Sequence, residues 1–338
     1  MRKMWVLFVS GVLLLTTAVF AGCGSEDAST GDKGSGDKTL VVYNCNPDDW
    51  TAPIVKEFQE QTGIEVQLVS GGSGELMARV RAEKDNPLGD VMWGGSGDSY
   101  VALSPYLQPY KSTEDAAIKP EFRVEGNAFY NITMDPYVIA YNTDLVSEAE
   151  APKGWKDLLD PKWRGKISVA DPAKSSSTYA VLLTMMDRLG GDPAIIAQLV
   201  ENLDGKIASG SAAQIKALSD GEYALTATFE EAVMKYIAHG SHMKIVYPAE
   251  GTAISTGGIG IIKGAKHLEN AQKFIDFAMS KGVHERFTNY QRRSTRGDIG
   301  APSGLPAVTE IVYEPFDTKR AVDYKETFLQ LWREAAMK

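Results

Sequence analysis

Between Ile64 and Val80 the chain runs through an alternating segment, a cluster of three glycines (Gly71, Gly72, Gly74) and a helical pattern. Ile64 to Val69 alternate apolar and polar side chains as a half-buried strand does, while Leu76, Met77 and Val80 recur at helical spacing. This order predicts a strand, a glycine turn and a helix. Glycines let backbone approach a ligand closely, and the unpaired amides at a helix start, with the positive end of its dipole, favour an anion. Ser70 to Gly74 therefore offer a place for an oxyanion or a phosphoryl group. They suit an ordinary turn with Ser73 as helix cap equally well. A phosphate-hydrolysing P-loop is excluded, because Glu75-Leu76 stand where that motif needs Lys-Ser/Thr.

Similar units recur along the chain. Leu40 to Tyr43 read as a buried strand, Asn44 to Asp49 as a turn at its carboxyl end, and Trp50 to Thr62 as an amphipathic helix stopped by Gly63. Val91-Met92-Trp93 lead into Gly94-Gly95-Ser96-Gly97. Strand-turn-helix units in succession predict an α/β fold with a parallel or mixed sheet, its ligand crevice beyond the carboxyl ends of the strands. Three turns converge there: Asn44 to Asp48, Ser70 to Gly74, and Trp93 to Ser96. Asn131 to Asn142 form a long extended run suited to crossing into a second lobe. The same rhythm then repeats through Lys166 to Ala170, Thr178 to Leu189, Tyr223 to Thr228 and Glu230 to His239, and returns through Thr256 to Ile262.

At 338 residues, with 43% hydrophobic and 23% charged residues, the chain suits a soluble protein of two domains. Arg2 and Lys3 precede an apolar run from Met4 to Phe20, closed by Ala21-Gly22-Cys23. This predicts a signal peptide over 1–22, resembling a bacterial lipoprotein signal, with Cys23 as the lipidated residue; an uncleaved membrane helix is the alternative. Gly24 to Lys38 hold no apolar residue larger than alanine, so 23–38 reads as a flexible tether. Loss of Arg2 and Lys3 takes the formal charge from −9 to −11, which argues against nucleic acid and anionic lipid surfaces as partners. With Cys23 lipidated, Cys45 has no disulfide partner; it is then a small buried residue or a cleft residue with some reactivity.

Taken together, Leu40 to Asn44, Thr62-Gly63-Ile64, Ser70 to Leu76, Gly89-Asp90-Val91, the block Trp155 to Lys166 and Gly258 to Ala265 resemble bacterial extracellular solute-binding proteins of ABC importers. The nearest group is the cluster that includes ferric-iron, phosphorylated-sugar, 2-aminoethylphosphonate and thiamine binders. The resemblance implies a two-lobed periplasmic-binding-protein type II fold with a hinge of crossing strands. Lobe one would take 39–135 and 254–290, lobe two 136–253 and 291–338. It also implies a monomer that delivers a small solute to a membrane permease; with the lipoprotein signal, the exported chain is expected at the outer face of the cytoplasmic membrane, held there by its lipid anchor alone, or in the periplasm.

Ferric-iron members of that cluster use a histidine after the first strand, a carboxylate after the third and an adjacent tyrosine pair. Here those turns carry Asn46-Pro47 and Trp93-Gly94-Gly95, and no two tyrosines are adjacent, so no metal site and no cofactor is expected. Tyr137, Tyr179, Glu230 and Glu231 are the residues left for another metal arrangement. A small anionic solute suits the chain better, held by Ser70, Gly72, Ser73 and Gly74 from one lobe and by Ser175, Ser176 and Ser177 from the other. Asn44, Asn46, Gly95, Ser96, Tyr137, Thr228, Glu230, Glu250 and Thr252 complete the expected contacts. Trp93 either covers the ligand or packs at the lobe edge. Glu231 reads as a residue offsetting its helix dipole. Among Arg292, Arg293 and Arg296, phosphate binding competes with a buried pairing to Asp298 or Asp135.

An enzyme on the same scaffold, a thiaminase-like transferase, would need Cys45 as nucleophile and Glu230 or Glu231 as base. The four histidines, His239, His242, His267 and His284, fall outside the expected cleft turns.

Overall fold

A computed structural model describes residues 38–337. The expected signal peptide (1–22), Cys23 and the 23–38 tether apart from Lys38 lie outside the described residues. The order of elements is β1 (Thr39–Asn44), α1 (Asp48–Thr62), β2 (Glu65–Ser70), α2 (Ser73–Ala82), β3 (Val91–Ser96), α3 (Gly97–Leu103), β4 (Leu107–Gln108) and β5 (Tyr130–Asn142). There follow β6 (Ile167–Ala170), α4 (Ser176–Arg188), α5 (Ala194–Leu203), β7 (Ile207–Ala208), α6 (Ser211–Ser219), β8 (Leu225–Phe229), α7 (Glu230–Ala238) and β9 (Met243–Val246). The chain ends with β10 (Thr252–Ile262), α8 (Leu268–Met279), α9 (Lys281–Asn289), β11 (Arg293–Ser294), β12 (Tyr313–Pro315) and α10 (Thr318–Ala336). Among the described residues no helix is long and apolar enough to cross a membrane.

Local chemistry explains the first units. Trp50, Ile54, Val55 and Phe58 of α1 are buried, a stripe at helical spacing facing the sheet. Asp48 and Asp49 offset the dipole at its start, and Gly63, in the left-handed region at φ 66°, ends it by donating its amide to the Gln59 carbonyl at 2.8 Å.

The strand order is β2-β1-β3-β10-β5-β8-β6-β7. β1 runs parallel to β2 and β3, and β6 parallel to β7 and β8; β10 and β5 are antiparallel to their neighbours on this path. These two strands serve both halves of the molecule. In β5, Ile132 and Met134 pack with Val42, Trp93, Ile259 and Phe274, whereas Ile139 and Tyr141 pack with Trp155, Leu182, Leu225 and Phe328. Pro136 sits at the changeover, the last residue of β5 paired with β10 before Tyr137 takes up pairing with Phe229 of β8. A proline in a central strand lacks a ladder donor, and here it falls where the ladder changes partner.

Beyond α9 the chain keeps to the first half for longer than the expected switch at 290/291. Arg293 and Ser294 pair with Met134 and Thr133, and Val308 joins the core of Trp93 and Phe274. α10 then buries Ala321, Phe328, Leu329 and Trp332 in the core of the second half.

Candidate ligand-binding cleft

A cavity of about 430 Å³ opens where the turns of the first half face the helix starts of the second. Asn46, Ser73, Gly95 and Ser96 line it from one side and Ser176, Ser177, Phe229 and Glu231 from the other. Thr133, Asp135, Tyr137 and Ser255 come from the crossing strands, Arg292 from the segment after α9, and Lys325 from α10.

The first turn is shaped from within. Asn44 is fully buried; its Nδ2 donates to the Asn46 carbonyl at 2.9 Å and to Thr51 Oγ1 at 3.1 Å, and its Oδ1 accepts from the Asn46 amide at 3.0 Å. It shapes the turn and does not reach the cavity. Gly94 and Gly95 both have positive φ, 93° and 85°, and a Cβ on Gly94 would lie 2.6 Å from Asn46 Nδ2. Only glycine lets the third turn pass so close to the first.

Two helix starts flank the space. In α2 the first turn closes with the Leu76 amide on the Gly72 carbonyl at 2.9 Å, so the amides of Ser73, Gly74 and Glu75 have no carbonyl within their own helix. Ser73 lines the cavity, while Gly72 is the residue before the helix and Gly74 is exposed outside the cavity wall. Ser70 is likewise exposed, and its hydroxyl donates to Asp48 Oδ1 at 2.9 Å. In α4, Ser175 is the cap, its Oγ accepting from the Thr178 amide at 3.2 Å. Ser176 and Ser177 are the members of the serine run that reach the cavity wall.

Besides Asn44, Ser70, Gly72, Gly74 and Ser175, five further expected contacts stand outside the cavity wall. Trp93 is fully buried in the core of the first half and not at its edge, meeting Trp50 and Phe274 edge to face with ring centroids 5.4 and 5.5 Å apart. Glu250 accepts from the Trp155 amide at 2.9 Å and the Lys156 amide at 3.1 Å, capping a short 3-10 turn. Thr252, fully buried, donates to the Tyr137 carbonyl at 2.7 Å. Thr228 lines an adjoining, mostly apolar recess with Ile215 and Tyr236, which shares Ser177 and Phe229 with the cavity. Glu230 is turned into the interior, where Arg293 binds both its oxygens at 2.7 and 3.0 Å and Tyr247 donates to it as well.

Of the two neighbouring glutamates it is Glu231, expected only to offset the helix dipole, that lines the cavity, while Glu230 is buried with Arg293. Successive helical residues are turned by about 100°, so once Arg293 draws Glu230 inward, Glu231 faces the cleft. Its carboxylate accepts from Arg292 Nη2 at 2.5 Å, and its amide donates to Asp135 Oδ1 at 3.0 Å. Arg296 has the buried structural role weighed from the sequence, pairing with Asp298 at 2.8 Å. Sequence reading passes over Asp98, Thr133, Asp135, Ser255, Thr256 and Lys325 as cavity residues. A signal was present: Thr133, Asp135, Ser255 and Thr256 are polar interruptions in otherwise apolar strands.

Burial, and then the neighbouring Glu231, hold the Asp135 carboxyl well above the usual range. Burial pushes the Tyr179 hydroxyl up to about 12, and it donates to the Ala321 carbonyl at 2.5 Å. Tyr137 is also raised by burial, with Asp98 adding to the effect. Burial raises the Cys45 thiol to about 12. Among the described residues no three His, Cys, Asp or Glu side chains are grouped to hold a metal ion.

The comparisons with known proteins agree with this architecture. The family model described as bacterial extracellular solute-binding protein matches residues 100–306. An "Uncharacterized protein" of Haemophilus influenzae is 31% identical over 284 residues, covering 81% of each chain. Iron uptake protein A1 of Synechocystis is 25% identical, covering 80% of this chain and 79% of its own. Among solved structures, the periplasmic binding protein AfuA from Actinobacillus pleuropneumoniae, with exogenous fructose 6-phosphate bound, superposes with a TM-score of 0.73 at 26% identity, covering 88% of this chain and 98% of that one. Fold, cavity and likeness converge: the chain belongs to the bacterial extracellular solute-binding proteins.

Proposed function

We propose that this solute-binding protein captures a small organic phosphate or phosphonate between its two halves and delivers it to an ABC permease. The carrying observation is the pairing of the α2 and α4 helix starts across one cavity that also holds Arg292 and Lys325. Fructose 6-phosphate in the AfuA structure supports the same ligand class. An organic solute is favoured over inorganic phosphate because Asp98, Asp135 and Glu231 share the wall. Hydroxyl or ammonium groups on such a solute would donate to those side chains. Solute binding to one half and then the other closes the cleft, and the closed form engages the permease.

In this account Cys23 carries the lipid anchor, the chain acts as a monomer, and it performs no chemistry. The elevated Cys45 thiol speaks against a nucleophile, since the thiolate is the reactive form. Ferric iron fits these residues less well. A tyrosinate ligand would have to lose its proton, and burial raises both Tyr137 and Tyr179.

Thermal shift of the purified protein tests the proposal with fructose 6-phosphate, 2-aminoethylphosphonate, thiamine phosphate, inorganic phosphate and ferric citrate. A solute at one hundred times its Kd stabilises by about 2.7 kcal/mol. An increase in Tm with an organic phosphate or phosphonate supports the proposal, and a response to iron alone overturns it.

A further inference from the structure

Arg292 and Arg293 are consecutive, and they bind the consecutive carboxylates Glu231 and Glu230. The two pairs differ in construction. Arg293 and Glu230 are each 1% exposed; the arginine uses Nε and Nη2 on the carboxylate and Nη1 on the Pro306 carbonyl at 2.8 Å. Arg292 offers Glu231 a single bond, from Nη2, at 14% and 30% side-chain exposure in the cavity wall. Its Nε and Nη1 donate to no acceptor among the described residues. The guanidinium lies over Trp50, 4.8 Å from the ring centroid, so its plane is held independently of Glu231.

Resting on the phosphoryl reading above, we propose that Glu231 occupies Arg292 in place of the solute's acid group while the cleft is empty, and that the arriving solute takes the arginine from it. Stacking on Trp50 keeps the guanidinium in the wall when its carboxylate partner moves away. Nε and Nη1, which have no acceptor among the described residues, can donate to an oxyanion, which suits the planar fork of arginine. Burial holds the Glu231 carboxyl above its ordinary range, with Asp49 adding to the effect and Arg292 and Lys235 opposing it. Glu231, 30% exposed and held by a single bond, can turn to solvent and give up its partner more readily than Glu230, 1% exposed and held by two. The consequence is a threshold. Every anion competes with Glu231, and only one that engages Arg292 together with the helix starts displaces it, so Glu231 sets specificity against small, weakly held anions.

The Glu231→Gln variant removes the competing charge and keeps the volume. Calorimetric titration with fructose 6-phosphate should show binding about three- to tenfold tighter than wild type. Inorganic phosphate should raise Tm and alter tryptophan fluorescence in the variant at concentrations where wild type does not respond. Adding Arg292→Gln should abolish both gains, and Glu231→Ala should reproduce them should the glutamine variant be too unstable to assay. Unchanged or weaker binding of both anions overturns the proposal, since Glu231 would then be a bystander or a direct solute contact. If neither wild type nor variant binds fructose 6-phosphate, 2-aminoethylphosphonate or thiamine phosphate, but the variant gains an Arg292-dependent response to inorganic phosphate, the stand-in holds and the organic-phosphate reading fails.

Discussion

Arg293 and Glu230 tie the two halves together: the arginine, paired through β11 with the first-half segment of β5, grips both oxygens of the carboxylate that begins α7 in the second. Tyr247 donates to the same carboxylate, and both ionic side chains are withdrawn from solvent. A buried pair of this kind contributes little net stability over an apolar substitute, but losing one partner strands a charge.

Glu230→Ala should therefore cost about 3–5 kcal/mol in urea denaturation. The double variant Glu230→Leu with Arg293→Met should recover most of that loss. A single variant costing under about 1 kcal/mol would mean that the pair is solvated in solution.

Gly95 and Gly74 make a contrasting pair. A Cβ at Gly95 would lie 2.9 Å from Met77 Cε in a backbone with φ 85°, whereas nothing lies within 4 Å of one at Gly74. Gly95→Ala should destabilise by about 1–3 kcal/mol and weaken solute capture, measured by denaturation and titration. Gly74→Ala should keep stability or add up to about 1 kcal/mol through helix propensity.

Stability should fall with acid through His284. Burial, followed by Arg296, lowers its pKa from 6.5 to about 3, and its Nδ1 is 2.6 Å from Ser294 Oγ. The unfolded chain takes up a proton below 6.5 that the folded chain refuses, so this contribution is full above 6.5 and is lost as pH falls from 6.5 towards 3. The slope approaches about 1.4 kcal/mol per pH unit. Asp135, with its pKa raised, acts in the opposite sense and gains stability as pH falls, so the test is a difference. Unfolding free energies at pH 7 and 5 should diverge more for wild type than for His284→Gln.

Cys45→Ser should leave solute affinity unchanged, because Cys45 is outside the cavity wall and packs beside Tyr43 and Met92. Isothermal titration checks this. A tenfold loss would bring Cys45 into the cleft and reopen the enzyme alternative.

Much of the fold could be read from local pattern, and less of the cleft. The helix expected over Thr178 to Leu189 forms over Ser176–Arg188, because its start and its apolar face are both encoded nearby. The segment from Trp155 to Leu159 looks helical but closes as a 3-10 turn, and the carboxylate that caps it, Glu250, lies 95 residues away from Trp155 in the chain. Glu230 and Glu231 are indistinguishable by type and spacing. Arg293, 63 residues from Glu230, decides which of them turns inward. Trp93 went to the core for a similar reason, since the rings it meets come from α1 and α8. The sequence shows which turns converge, but the direction of each side chain depends on partners that only the folded chain brings together.

Because β5 and β10 each run through both cores, neither half corresponds to an uninterrupted piece of the chain. A gene fragment ending before β10 would leave the first sheet open between β3 and β5, and one beginning after β5 would deprive β8 of a neighbour. The halves must then be acquired together, and any redesign by swapping one of them between homologues requires three splice points, two at the strand crossings and one ahead of α10.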